Sequence, residues 1–229
     1  MRLLVSVANA VEAAAALAGG ADVIDAKDPH AGPLGAVPIH VLREIHALVG
    51  DARPVTAAIG DAADEAEIER TAHAYAASGA TLLKVGFAGI DSSSRVAGLI
   101  GAAVRGAEAG SSGRCGIVAV AYADVCCDDS IGVPRLIAVA ARAGASGVLV
   151  DTSDKSGPGL RQLATPLALS QWVAAAHDAA LTIALAGKLS AEDLPFVREA
   201  GADIAGVRGA ACEGGRGGRV SEARVRALG

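Results

Sequence analysis

The chain has 229 residues, of which 52% are hydrophobic and 2% are aromatic, and its formal net charge is −5. This length fits one α/β barrel domain, which typically has about 200 to 250 residues. The chain lacks the aromatic stacking surface and the positive charge with which proteins bind nucleic acids and anionic membranes, so we expect neither as a partner.

Apolar runs alternate with Ala-rich stretches eight times along the chain. The predicted strands are residues 3–7, 23–27, 55–60, 82–87, 116–123, 147–152, 182–187 and 204–208. The predicted helices are residues 11–18, 39–48, 65–77, 95–108, 133–142, 167–179, 191–199 and 221–228. Strict alternation of strands and helices predicts a parallel sheet.

A short phrase, Gly-Ala followed by Asp, Thr or Ser, recurs before every second predicted strand. It begins at Gly20, Gly79, Gly144 and Gly201. A glycine at this place supplies the left-handed turn that ends a helix, so the phrase marks two strand–helix units repeated four times. The repeat favours a closed (β/α)8 TIM barrel over an open sheet, with one domain over residues 1–229.

The four lysines of the chain lie at or just beyond the carboxyl ends of predicted strands, whereas sixteen arginines are spread along it. These lysines are Lys27, Lys84, Lys155 and Lys188. In such barrels the carboxyl ends of the strands carry the site. A desolvated lysine amine forms an imine with a carbonyl carbon and a guanidinium does not, so the distribution points to carbonyl chemistry. The alternative is that these lysines serve only as ion-pair partners.

Alternation along predicted strand two places Asp25 and Lys27 on one face, which we expect to be the barrel interior. Lys84 lies between apolar residues of strand four, where burial is costly unless the amine is paired or neutral. Asp151 ends strand six, and Lys155 follows it. We expect these five residues to form a catalytic cluster, although internal ion pairs of a barrel core remain an alternative.

A phosphate site is predicted after strands seven and eight, from Gly187, Lys188, Arg208 and Gly209. Simple loop turns are the competing interpretation, because glycine is common throughout this chain. The Gly- and Arg-rich segment at about 213–219 is expected to be flexible and solvated.

The cysteines and histidines do not predict a metal site. Cys115, Cys126, Cys127 and Cys212 lack paired zinc-ligand spacing, and the five histidines are scattered. The adjacent pair Cys126 and Cys127 is typical of small, reduced side chains in a cytosolic protein. No export signal is visible, so we expect a cytoplasmic protein.

Four separated motifs resemble the (5-formylfuran-3-yl)methyl phosphate synthase family. They are Asp25-Ala26-Lys27-Asp28-Pro29, Gly32-Pro33-Leu34-Gly35-Ala36, Lys84-Val85-Gly86 and Asp151-Thr152-Ser153-Asp154-Lys155. The resemblance spans nearly the whole chain. It implies a lyase of methanofuran biosynthesis that condenses two glyceraldehyde 3-phosphate molecules into a phosphorylated furan aldehyde, with loss of phosphate and water.

By this resemblance Lys27 is the Schiff-base lysine and Lys84 the proton acceptor, while Asp25, Asp151 and Lys155 are supporting acid–base groups. No metal or organic cofactor is implied. The rival interpretations are a Schiff-base aldolase, a triose-phosphate isomerase-like enzyme, and a barrel that only binds a phosphorylated metabolite. We also expect a homo-oligomer, because apolar barrel surfaces commonly assemble.

Overall fold

The computed structural model describes residues 1–125 and 130–229, and it confirms the predicted barrel. Eight parallel strands pair in chain order, and the last pairs with the first to close the sheet. The strands are β1 (Arg2–Val7), β2 (Val23–Ala26), β3 (Val55–Asp61), β4 (Leu82–Gly86), β5 (Gly116–Tyr122), β6 (Gly147–Asp151), β7 (Thr182–Leu185) and β8 (Ile204–Val207). Each lies within two residues of its predicted bounds.

Helices between the strands form the outer layer of the barrel. Within the described residues they are α1 (Ala10–Ala18), α2 (Ile39–Val49), α3 (Glu65–Ala76), α4 (Ser93–Ser111), α5 (Val133–Arg142), α6 (Leu160–Leu163), α7 (Pro166–Asp178), α8 (Leu194–Glu199) and α9 (Glu222–Arg226). The short α6 was not predicted. A 3-10 turn at Ala191–Asp193 leads into α8, and another at Gly209–Ala211 follows β8.

The glycines of the repeated phrase adopt the predicted left-handed backbone. The φ angles are 93° at Gly20, 100° at Gly79, 83° at Gly144 and 85° at Gly201. Each follows the end of a helix and precedes an even-numbered strand, so the fourfold repeat of two strand–helix units is confirmed in the structure.

Alternation along the strands separates two apolar layers. Leu4, Val23, Val118 and Leu149 belong to a cluster inside the barrel. Their neighbours in sequence, such as Ile24, pack in the larger cluster between the sheet and the helices. Several inward positions carry small residues, as in β7 and β8, so the interior is not filled and a cavity opens among the strand ends.

The described ranges contain free thiols, but no side-chain cluster for a metal and no helix suited to span a membrane. Cys115 and Cys212 are buried free thiols, and Cys126 and Cys127 lie outside the described residues. In the same ranges, no group of three or more His, Cys, Asp or Glu side chains is arranged to hold a metal. None of the helices described has both the length and the apolar character that crossing a membrane requires.

Helices α3 and α4 pack closely through a glycine. A Cβ atom at Gly106 would lie 2.9 Å from the carbonyl carbon and 3.1 Å from the Cα atom of Glu69, so the backbone of α3 leaves no room for a side chain. At Gly101, one and a half turns earlier in α4, the nearest atom to such a Cβ is the end of the Arg105 side chain at 3.7 Å.

We therefore expect opposite effects from alanine at the two positions. Gly106→Ala should lower the free energy of unfolding by about 1–3 kcal/mol, because overpacking forces the helices apart. Gly101→Ala should raise it by up to about 1 kcal/mol, because alanine favours the helix. Urea unfolding of both variants measures the difference. Equal effects would contradict the close approach of α3 and α4.

Candidate active site

A cavity of about 360 Å³ extends through the barrel interior, from Arg2 and Pro54 at the amino ends of the strands to their carboxyl ends. Among the nine residues predicted for the site, all except Asp25 line this cavity. The lining members are Lys27, Lys84, Asp151, Lys155, Gly187, Lys188, Arg208 and Gly209. A cavity of this size is large enough for small metabolites.

The first part of the site is a buried network around Asp25. The strand register places Ser6, Asp25 and Thr56 side by side on β1, β2 and β3. Each hydroxyl donates a hydrogen bond of 2.8 Å to the Asp25 carboxylate. Lys84 reaches the same carboxylate from β4 and forms an ion pair with it. The network satisfies a carboxylate that is wholly buried and fixes the position of the Lys84 amine.

The second part of the site is centred on Asp151, at the end of β6. Its Oδ1 atom accepts hydrogen bonds of 2.7 Å from Lys155 Nζ and 2.8 Å from the Thr152 amide. The amine of Lys155 also contacts the carbonyl and hydroxyl oxygens of Thr152. The other oxygen, Oδ2, faces Lys27 Nζ at 3.7 Å. One carboxylate thus stands between two amines.

Lys27 is the least restrained of the three amines. Within residues 1–125 and 130–229 its Nζ atom makes no hydrogen bond, and 3.7 Å from Asp151 exceeds the range of a good one. Burial lowers the pKa of Lys27 to about 8, and the charge of Asp151 opposes this shift. The charges of Lys84 and Lys155 lower the pKa further. A substantial fraction of this amine is therefore neutral near physiological pH.

Asp151 stays ionised although it is buried. Burial by itself raises the pKa of its carboxyl group, but the charges of Lys27 and Lys155 and the hydrogen bonds from Lys155 and the Thr152 amide outweigh that effect. The net result is a pKa below the ordinary value. Asp151 is therefore a permanent negative charge beside the Lys27 amine.

Asp124 holds the loop that carries Lys155, and sequence reasoning missed it. Its two carboxylate oxygens accept hydrogen bonds of 2.7 Å from the amides of Ser153 and Asp154. Asp124 follows β5, so it connects the ends of two neighbouring strands. No periodic pattern marks such a residue, because its partners are backbone amides.

The predicted phosphate loop after β7 has a left-handed backbone at two successive residues. The φ angles are 101° at Gly187 and 57° at Lys188. A left-handed conformation is unusual for lysine and is often found at binding sites. The Lys188 amine contacts the carbonyls of Ser156 and Gly157, beyond β6, and lies at the cavity wall. A phosphate role for this loop stays a prediction.

Arg208 is fully engaged by protein groups. Its Nη1 and Nη2 atoms donate to the buried carboxylate of Glu12 at 2.8 and 3.3 Å. The remaining donors reach the carbonyls of Ser6, Arg216 and Gly218 at 2.9–3.1 Å. Because all five N–H groups are taken, Arg208 offers a ligand no free donor in this arrangement. Glu12 is a second residue that sequence reasoning missed.

The segment expected to be flexible forms the end of a β-hairpin between β9 (Cys212–Glu213) and β10 (Arg219–Val220). Gly214 and Gly215 allow this turn, with φ angles of 81° and 78°. At its tip the half-buried Arg216 lines the cavity and donates to the carbonyls of Pro29 and Gly32. The hairpin therefore reaches the loop that follows Lys27, a contact that composition did not predict.

The fold and the site together define a (β/α)8 barrel with a lysine- and carboxylate-lined cavity at the carboxyl ends of its strands. The family model described as 4-HFC-P synthase matches residues 3–229. The chain belongs to this family, which confirms the resemblance seen in the motifs.

Named relatives agree. The (5-formylfuran-3-yl)methyl phosphate synthase of Methanopyrus kandleri is 39% identical, over 93% of this chain and 90% of its own. The protein of the same name from Methanosarcina mazei is 37% identical, over 100% of this chain and 97% of its own.

Solved structures match in fold alone. Phosphoribosyl anthranilate isomerase from Thermus thermophilus superposes with a TM-score of 0.66 at 14% identity, covering 100% of this chain and 96% of its own. A 3-hexulose-6-phosphate synthase superposes with a TM-score of 0.62 at 22% identity, covering 100% of this chain and 99% of its own. At such identities the likeness supports the barrel and says nothing of substrate.

The lowered pKa of Lys27 predicts how its reactivity depends on pH. Between pH 7 and 9 the neutral fraction of an amine with a pKa of about 8 rises about tenfold and then levels off. A lysine with the ordinary value of 10.5 gains about a hundredfold over the same interval and continues to rise. Modification by acetic anhydride, followed by peptide mass spectrometry, measures this. A single-lysine peptide is the control, and a Lys27 profile parallel to that of the peptide would contradict the pKa.

The contacts of Asp124 predict that its amide variant loosens the Lys155 loop. In Asp124→Asn one oxygen is replaced by an NH₂ group, which cannot accept a hydrogen bond from a backbone amide. We expect amide exchange at Ser153–Lys155 to accelerate at least about tenfold, the equivalent of one lost hydrogen bond. Asp178→Asn, whose side chain makes no hydrogen bond in the described ranges, is the matched control. Unchanged protection of the loop would reject the role of Asp124.

Proposed function

We propose that this chain condenses two molecules of glyceraldehyde 3-phosphate to (5-formylfuran-3-yl)methyl phosphate, through an imine on Lys27. Membership of the 4-HFC-P synthase family supports the product. The observation that carries the mechanism is the Lys27 amine, which is buried, free of hydrogen bonds within the described residues and next to an ionised carboxylate. In the cell this reaction belongs to methanofuran biosynthesis in the cytoplasm.

The overall reaction balances without an oxidant or a reductant. Two triose phosphates supply six carbons and two phosphate groups, and the product keeps all six carbons and one phosphate. The other phosphate leaves as inorganic phosphate, and two water molecules are lost in forming the ring. Proton transfers and carbonyl additions suffice for each of these changes, so amines and carboxylates can perform them.

In the first covalent step the neutral Lys27 nitrogen bonds to the carbonyl carbon of one triose phosphate. The carbonyl oxygen leaves as water, and the product is a protonated imine. Asp151, 3.7 Å from Lys27 Nζ, stabilises this positive charge. Of the three amines, Lys27 is suited to this attack because Lys84 and Lys155 are each held by a carboxylate.

The imine then acts as an electron sink. A base removes the proton from the adjacent carbon, and the electron pair moves into the enamine. The enamine electron pair then expels the phosphate from the third carbon, and the product is an unsaturated iminium whose second carbon carries a hydroxyl group, that is, an enol.

The second triose is first isomerised to its ketone form by two proton transfers. Loss of the proton from the enol hydroxyl lets the third carbon bond to this ketone carbon, and the ketone oxygen takes up a proton. Ring closure and loss of water complete the furan, and hydrolysis of the imine returns the Lys27 amine.

We assign the proton transfers to the two carboxylate–amine groups. Lys84 first passes its proton to Asp25, and the neutral amine then accepts the proton from the carbon next to the imine. Lys155, hydrogen-bonded to Asp151, donates a proton to a leaving oxygen. The buried Ser6 and Thr56 hydroxyls hold Asp25 in place during these transfers.

The purified protein, incubated with glyceraldehyde 3-phosphate alone, should generate the absorbance of a furan aldehyde and one inorganic phosphate per furan. Lys27→Arg keeps the charge but cannot form the imine, so we expect turnover to fall by at least about a thousandfold. Borohydride added during turnover should leave a triose adduct on Lys27, found by mass spectrometry.

Three results would reject the proposal in different ways. A new sugar phosphate without furan or free phosphate would indicate an aldolase or an isomerase. Bound substrate without any adduct or product would indicate a barrel that only binds a phosphorylated metabolite. Turnover retained in Lys27→Arg would exclude the imine on this lysine.

A further inference from the structure

Lys188 and Arg216 line the cavity but form no ion pair within the described residues. The other cationic side chains that line its carboxyl-end part each face a carboxylate: Lys84 with Asp25, Lys27 and Lys155 with Asp151, and Arg208 with Glu12. Lys188 and Arg216 donate only to backbone carbonyls within the part of the chain that the structure describes. Their positive charge is therefore available to an anion.

These two cations are anchored on opposite sides of the cavity mouth. The Lys188 amine contacts carbonyls of Ser156 and Gly157, in the loop after β6. The Arg216 guanidinium contacts carbonyls of Pro29 and Gly32, in the loop after β2. In a closed ring of eight strands, β2 and β6 lie four places apart and face each other. The two cations are therefore held by separate loops, which follow different strands.

We propose that Arg216 binds the phosphate of the second triose, whereas Lys188, one of the four residues predicted for phosphate binding (Gly187, Lys188, Arg208 and Gly209), binds the phosphate of the first. This inference rests on the proposed function, because that reaction requires two phosphorylated substrates at once. Each phosphate dianion then meets its own cation, one on the β6–β7 side and one on the β2 side of the mouth.

The guanidinium of Arg216 has the donors that this role needs. Its contacts with Pro29 and Gly32 use one N–H group on each terminal nitrogen. In the described residues the other three N–H groups have no protein partner, whereas Arg208 has none to spare. A planar guanidinium with free donors is well suited to the oxygens of a phosphate.

Arg208 contributes indirectly, by fixing the backbone from which Arg216 projects. Its Nε atom donates to the Arg216 carbonyl at 2.9 Å, and Nη2 donates to the Gly218 carbonyl at 3.1 Å. Arg208 is itself held by the buried Glu12. Burial lowers the pKa of Arg216, and the negative charge of Asp151 opposes this shift, which is consistent with a guanidinium that faces the reaction cavity.

Glycerol 3-phosphate tests the proposal without chemistry, because it carries the phosphate but no carbonyl. Calorimetric titration of the full-length protein should show two sites per chain. In Arg216→Gln one site should weaken by at least about tenfold, the equivalent of one lost charge-assisted hydrogen bond, and the other should be unchanged. Lys188→Gln should weaken the other site. Each variant should therefore lower the affinity of one site and leave that of the second site unchanged.

Arg219→Gln is the matched control, because Arg219 belongs to the same hairpin, is exposed and makes no side-chain hydrogen bond in the described ranges. It should retain both sites. Urea unfolding without ligand establishes that Arg216→Gln is folded, and Arg216→Lys, which keeps the charge, should lose less affinity than Arg216→Gln.

One site in the unchanged protein, or two unaltered sites in Arg216→Gln, would overturn the proposal. Equal losses in the Gln and Lys variants would also overturn it, because they would assign Arg216 to loop packing alone. Failure of the proposed reaction is a separate result, since it would show as absence of furan while both phosphate sites are still titrated.

Discussion

The proposed chemistry of this barrel depends on one buried amine, that of Lys27, to which no residue of the described ranges gives a hydrogen bond. Removing an ammonium from water disfavours the charged form, and Lys27 makes no compensating hydrogen bond within the described residues. A close pair with Asp151 would restore the charge, yet 3.7 Å separates the nearest atoms. Burial therefore outweighs the attraction of the carboxylate, and the pKa of Lys27 falls to about 8.

The surrounding network leaves the Lys27 amine without a hydrogen bond, because other residues already bind the two nearby carboxylates. Asp25 comes two residues before Lys27, but it accepts hydrogen bonds from Ser6 and Thr56 and an ion pair from Lys84. Lys155 and Thr152 similarly engage Oδ1 of Asp151. The register of adjacent parallel strands creates the first arrangement, and the loop after β6 creates the second.

The sequence allowed prediction of the barrel and the central cluster because both follow from local rules. Alternation placed Asp25 and Lys27 on one face, and the carboxyl ends of parallel strands necessarily meet, so Lys84 and Asp151 were expected nearby. Glu12 was not predicted, because its partner Arg208 is 196 residues away and nothing local marks the pair. Asp124 and Arg216 were missed for another reason: they bind backbone groups of distant loops, and any sequence supplies those groups.

The hairpin shows what composition leaves out. A Gly- and Arg-rich run is typical of a solvated linker, and residues 213–219 have that composition. Two of these glycines instead make a turn with positive φ angles, and Arg208 binds the carbonyls of Arg216 and Gly218. The closed barrel also brings the end of β8 close to β1 and β2, so that Arg216 reaches two carbonyls of the loop after β2 and Arg208 pairs with Glu12. The turn-forming glycines of the segment and the long-range geometry of the fold together determine its conformation.

Charge balance connects the proposed nucleophile with the cations at the mouth. When Lys27 is neutral, the ammonium groups of Lys84 and Lys155 match the carboxylates of Asp25 and Asp151. A phosphate dianion entering this balanced cavity would favour protonation of Lys27 and so suppress its attack on a carbonyl. A cation that pairs with the phosphate at the cavity mouth prevents this protonation. The opposite charges of such a pair largely cancel at the distance of a third group, so Lys27 is less affected by the phosphate. The proposed reaction, which binds anions and needs a neutral amine, is therefore helped by positive groups that form no ion pair, which is the state of Lys188 and Arg216 within the described residues.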